Sequence, residues 1–288
     1  MDYINSIIHQ ENKNGTNLGV WPLTSSVDWC ESNYAISPYI AEFWNSISSI
    51  AMILIGEIGS RLNSCERTPL YIAFRLISLV GVGSFLFHAT LTYYMQALDE
   101  VPMVWCALTL LRPLFEINYG RQGPWLTAML TSVAITLSLL VTIVRGGAQF
   151  VAFQISFSFL EAFTIYLMTR IYNRMKSNHP AIKTLFRRGL TTYLFAILIW
   201  LTDLQFCEYL NGGERSLLPF NPQLHAAWHA LASFGLYLLV VFTVYAWWAW
   251  KGENVKLEMG LSGLLPFVVK IHQNDQDQSA NSKLVKTE

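Results

Sequence analysis

Charge is scarce in this chain. Only 13% of its 288 residues are Asp, Glu, Lys or Arg, against about 25% in an ordinary soluble domain. The formal net charge is zero, so no basic footprint for nucleic acid is implied. The N-terminal stretch MDYINSIIHQENKNGTNLG is polar and lacks the apolar core of a cleavable signal peptide. The first membrane span is therefore expected to direct insertion. There is no internal repeat at solenoid spacing and no glycine-rich phosphate loop. Cysteine is sparse as well, with four residues.

What fills the space is apolar. Hydrophobic residues make up 53% of the chain and aromatics 14%. The apolar runs are too long and too numerous for a soluble core and read as membrane spans. Seven are expected, at 38–58, 70–89, 97–115, 125–144, 149–170, 189–208 and 223–250. The expected fold is all-α, a polytopic seven-transmembrane helix bundle. It divides into a lumenal N-terminal segment (1–37), a transmembrane domain (38–250) and a cytosolic tail (251–288) whose end, QNDQDQSANSKLVKTE, reads as disordered.

Orientation follows from the basic residues. Lys13, Arg145 and Arg215 fall on the N-terminal side of the membrane, and the remaining 16 of 19 on the other. By the positive-inside rule the rich side is cytosolic. The N-terminus is then lumenal. Asn14, in the tripeptide NGT, is a glycosylation acceptor that only a lumenal face could use. Cys30 and Cys207 share that face, in a compartment that permits a disulfide. Cys65 and Cys106 do not, and read as free thiols.

Ionisable side chains at membrane depth are costly and mark functional sites by default. Here they gather at one end. His225 and His229, in LHAAWH, lie four residues apart, so their rings stack on one helix face. Taken alone the pair has two readings, a metal grip or two interfacial histidines bonded to backbone and water. His88, near the lumenal end of the second span, brings a third imidazole to the same level. Asp99 and Asp203 arrive at that end too, and Ser84 is one turn before His88. Three histidines with an open fourth position form a catalytic zinc site, and the convergence favours that reading. Asp99 is placed to orient or deprotonate a water. His9, His179 and His272 lie in polar loops or tails and read as surface residues. Asp28, Glu31, Asn33 and Glu42 offer hard oxygen ligands that suit calcium. Their spacing is not that of an EF-hand, and spacing alone slightly favours a solvated acidic turn.

Three blocks, DWCESNY with YIAEFWNSISS, GVGSFLFHATLTYYMQALDEVPM and LHAAWHALASFG, together resemble the alkaline ceramidases. The likeness runs from about residue 20 to 250 and is similar to fungal phytoceramidase and dihydroceramidase members. The resemblance implies an intramembrane zinc amidase that splits ceramide into a sphingoid base and a fatty acid. It implies His88, His225 and His229 as Zn2+ ligands, with Ser84 and Asp99 catalytic. It further implies Asp28, Trp29 (through its carbonyl), Glu31, Asn33 and Glu42 as Ca2+ ligands that act at a distance, and a lumenal disulfide between Cys30 and Cys207. The substrate would be a ceramide-type lipid within the bilayer, and the membrane that of the endoplasmic reticulum or Golgi. The alternative is a seven-helix receptor-like protein that retains the zinc site. A zinc transporter would need polar residues continuing to the far side, and Glu161 is the only mid-depth acid available to extend the cluster.

Overall fold

The structure, a computed structural model, describes residues 19–271. Asn14, Lys13, His9, His272 and the end of the tail lie outside the described residues. The described chain is mostly helical. Its helices are α1 (Phe43–Ser48), α2 (Ile50–Leu62), α3 (Pro69–Thr90), α4 (Tyr93–Tyr119), α5 (Pro124–Ile143), α6 (Gly146–Met175), α7 (Pro180–Leu210) and α8 (Leu224–Trp250). Five of them, α3 and α5 to α8, are long and apolar enough to cross a membrane. The protein is accordingly an integral membrane protein. The seven expected runs correspond to α1 with α2, and then to α3 through α8 in order.

Local chemistry sets the boundaries. Pro69, Pro124 and Pro180 begin their helices, where a missing N–H costs nothing and the fixed φ is already helical. The break between α1 and α2 falls in a run of serines. Ser46 bonds back to Glu42 O at 2.6 Å, while Ser48 and Ser49 bond back to Asn45 O at 3.0 and 2.8 Å. Such bonds compete with the helix ladder and bend it.

Helix α8 is the central post. In its most apolar window 72% of residues are buried, against 17% for α5 and for α7. The outer helices turn large apolar side chains outward, among them Ile135, Leu139, Ile155, Phe159 and Leu198. Exposure of that kind suits lipid rather than water. Small residues let the helices close up, as is usual in membranes. A Cβ on Gly235 of α8 would stand 2.8 Å from the Tyr193 nitrogen of α7, and one on Gly83 of α3 would stand 2.4 Å from the Leu98 carbonyl of α4.

The N-terminal segment closes one end of the bundle. Helix α3 stops at Leu91, whose φ of 45° is left-handed, and its last carbonyls have no intrahelical partners. The segment supplies them. Ala41 N–H donates to Ala89 O and Glu42 N–H to His88 O, both at 2.9 Å, and the Thr24 and Ser25 N–H groups donate to Leu91 O at 3.0 Å. A disulfide between Cys30 and Cys207 joins the same segment to α7, Cα to Cα 5.3 Å.

The chain continues past the last helix in regular structure. The start of the expected polar tail is structured as an antiparallel hairpin, β1 (Val255–Gly260) with β2 (Leu265–Lys270), Val255 opposite Lys270. It docks on the bundle. Val268 is fully buried, its N–H donates to Asn63 Oδ1 at 2.9 Å, and Tyr237 of α8 donates to Pro266 O at 2.8 Å. The alternation of VKLEMG and the short β-branched and aromatic run of LPFVVK carry that signal.

Candidate metal centre

His88 lies in the last turn of α3, and His225 and His229 lie in the opening turns of α8. All three are buried, and one nitrogen from each falls within 4.8 Å of the others. Among the described residues they form the one such group of potential metal ligands. Their rings are separated by 4.7 to 5.1 Å between centroids.

The surroundings orient each ring. His88 Nδ1 meets the Glu42 carboxylate. His229 Nδ1 lies 2.8 Å from the Ser48 hydroxyl. The indole of Trp29 stacks on His225 with centroids 4.0 Å apart and planes 29° apart. Metal-binding histidines characteristically engage their second nitrogen with a carboxylate or hydroxyl, which fixes the ring and its tautomer. His88 and His229 meet that description and present their remaining nitrogens. His225 Nδ1 is buried with no hydrogen-bond partner, a costly arrangement for a polar atom unless a ligand takes it. The donor set therefore fits zinc: three imidazoles and no thiolate, with room for a fourth ligand.

That room is a cavity of about 380 Å³. Ser84, Asp99 and the three histidines line it, and its deeper walls are apolar, including Ile77, Val80, Met103 and Leu110. Size and lining match a small-molecule site. Asp99 reaches the cavity because Gly83 lets α4 approach α3. A Cβ there would stand 2.8 Å from the Asp99 Cα. The Ser84 and Ser49 hydroxyls lie 2.9 Å apart. Ser49 donates to Asn45 O, so Ser84 is the donor between them.

The acidic residues of the N-terminal segment each have partners within the protein. Asp28 accepts both Asn33 amide contacts, at 3.0 and 3.1 Å. Glu31 caps α1, taking the N–H groups of Trp44 at 2.7 Å and Asn45 at 2.9 Å. Glu42 accepts the Trp29 N–H at 3.0 Å and the Asn45 amide at 3.1 Å, besides touching His88. It therefore sits directly against the histidine site. Burial, then the neighbouring Glu42 charge, raises Asp28 to about 8. Burial also raises Glu31. The Asn33 Oδ1 oxygen is buried and unpartnered. Crowded acids and an orphaned amide oxygen are the donor chemistry of calcium, although Glu31 spends its oxygens on the cap.

Asp203 serves α8. Its carboxylate takes the N–H groups of Cys30 and His225, capping the helix that carries two of the histidines. Glu161 is paired with Tyr193 on the cavity wall. His179 lies away from the site, at the N-cap of α7. Sequence reasoning passed over Ser48, Ser49 and Glu100, which the fold brings to the histidines or the cavity. The serine run after Glu42 and the Gln96–Glu100 spacing of four were the available signals.

A model of the family described as Ceramidase matches residues 21–266. The chain belongs to the ceramidase family. Membership makes it an enzyme, and the match extends past α8 into the hairpin. The chain is 33% identical over 271 residues to alkaline ceramidase 3 of Mus musculus, covering 87% of this chain and 94% of that protein. It is 31% identical to an alkaline ceramidase of Arabidopsis thaliana, covering 86% and 93%. It is also 31% identical to alkaline ceramidase YPC1 of Saccharomyces cerevisiae, covering 77% of each.

Proposed function

We propose that this protein hydrolyses the N-acyl bond of ceramides, releasing a sphingoid base and a free fatty acid, with zinc at His88, His225 and His229. The observation that carries this reading is the set of three buried histidine nitrogens within 4.8 Å of one another, on a cavity that Ser84 and Asp99 also line. Family membership and the names of the relatives support the substrate.

Zinc, when bound, supplies Lewis acidity toward water and the amide carbonyl. The chain's own groups do the rest. Asp99 accepts a proton from the attacking water and returns it to the leaving amine nitrogen. Ser84 turns its O–H from Ser49 to the developing oxyanion. Glu42 and Ser48 hold two of the histidine rings in place. The apolar walls hold the lipid chains and keep bulk water away from the amide.

In the same reading, calcium is held by Asp28, Asn33 and Glu42, with Glu31 and the Trp29 carbonyl completing the set, and regulates the site by fixing the N-terminal segment. The bundle crosses the membrane seven times with a lumenal N-terminus, in the endoplasmic reticulum or Golgi. Phytoceramide and dihydroceramide are the proposed substrates. The test is mass spectrometry of products after offering phytoceramide, dihydroceramide and ceramide to the purified protein. Sphingoid base and fatty acid in equal amounts are expected from the first two. Intact lipid in all three would overturn the reading.

A further inference from the structure

Glu100 is adjacent to Asp99 on α4 and lines the same cavity, yet the hydrolysis above does not use it. It is a buried acid, 6% exposed, in a closed ring of side chains. Gln96 Nε2 donates to Glu100 Oε1 at 2.8 Å and to Gln149 Oε1 at 2.9 Å. Gln149 Nε2 donates to Glu100 Oε2. The Ser26 N–H donates to Gln96 Oε1 at 2.7 Å. Both glutamines are buried as well. The ring ties α4, α6 and the N-terminal segment together around one carboxyl group.

The arrangement fixes what Glu100 can do. Each of its oxygens takes one amide hydrogen, and each still has acceptor capacity. Among the described residues Glu100 forms no ion pair with Lys, Arg or His, so no protein cation uses that capacity. The free acceptor sites belong to a carboxyl that lines the reaction cavity. What fits there is a neutral donor carried by the substrate, and an alcohol is the natural one. A ceramide has hydroxyls on the carbons flanking its amide-bearing carbon, close to the bond that breaks.

We propose that Glu100, held by Gln96 and Gln149, accepts a hydrogen bond from a sphingoid-head hydroxyl and thereby selects for hydroxylated N-acyl lipids. This rests on the ceramide reading above. A neutral glutamine at 100 would set an amide donor against the donors of Gln96 or Gln149, so the ring and the acceptor would be lost together. A site built around such a bond rejects analogues that lack the hydroxyl, because its buried polar group is left unpaired.

The experiment measures kcat/KM of wild type and Glu100→Gln on one parent ceramide, its 1-deoxy analogue and its 3-deoxy analogue. Bound zinc is assayed on both proteins. Wild type should lose about 100-fold or more on one of the two analogues, and which one names the hydroxyl. Glu100→Gln should lose a comparable factor on the parent, lose little further on that analogue, and keep its zinc. Equal turnover of all three lipids by wild type would overturn the proposal without any variant. So would wild-type discrimination retained in Glu100→Gln. Either result, with the parent still cleaved, leaves the ceramide reading standing. Failure of wild type to cleave the parent overturns both.

Discussion

The Glu42 carboxylate is in contact with His88 Nδ1, both side chains fully buried. One residue therefore links the acidic N-terminal segment to the histidine cluster. Its second oxygen takes the backbone N–H of Trp29, and Trp29 in turn stacks on His225. Glu42 thus touches His88 directly and reaches His225 through Trp29.

Replacing Glu42 with Ala is accordingly expected to weaken zinc as well as any calcium response. Loss of a group that orients a metal-binding histidine typically costs about 10- to 100-fold in affinity or activity. Competition with a zinc chelator, read by metal analysis of the recovered protein, checks this. Unchanged zinc retention would mean that the Glu42–His88 contact does not orient a ligand.

Truncation of His88, His225 or His229 to Ala should abolish stoichiometric zinc in each case and stop amide hydrolysis. Extraction of the wild type with a chelator should do the same, and added zinc should restore it. Full zinc occupancy in all three variants would remove the metal centre from the account.

Gly83→Ala tests positioning apart from metal binding. Its Cβ would stand 2.4 Å from the Leu98 carbonyl, so α4 must shift and carry Asp99 with it. Displacements of about 1 Å can cost on the order of 100-fold in rate. The variant should keep its zinc and lose kcat by at least about tenfold. Wild-type kcat would show that Asp99 tolerates the movement.

Breaking the Cys30–Cys207 link by a double Ser substitution should lower thermal stability in detergent. Loss of a disulfide costs about 2–5 kcal/mol in small secreted domains, and less is expected where lipid already confines the helices. Thiol counting on the unfolded, unreduced wild type should find Cys65 and Cys106 alone. Four reactive thiols would deny the link.

A glycosylation tag fused to the N-terminus should be modified, and one fused to the C-terminus should not. The 3-to-16 division of basic residues sets this expectation. The opposite pattern would put the histidine site on the cytosolic face.

Much was legible in sequence because membrane physics acts locally. A bilayer demands continuous apolar runs, so α3 to α8 are visible as composition. It also penalises stray ionisable groups, so His88, Asp99, Asp203, His225 and His229 stand out against an apolar background. Other features depended on which surfaces meet. Glu31 as a cap on α1, Asp203 as a cap on α8 and the Glu42–His88 contact each join residues whose separation along the chain carries no periodic signal. The Gln96–Glu100–Gln149 ring likewise exists only because α4 packs against α6. The hairpin was overlooked for a different reason. Its alternation is short, and its stability comes from Asn63 and Tyr237, whose distance in sequence conceals their contact with it. Sequence alone determined the apolar runs and the ionisable side chains set among them, because hydrophobicity and charge are properties of single residues. Tertiary structure alone decided which acid orients a histidine, which caps a helix and which faces the cavity, because hydrogen bonds depend on ångström-scale placement that only packing supplies.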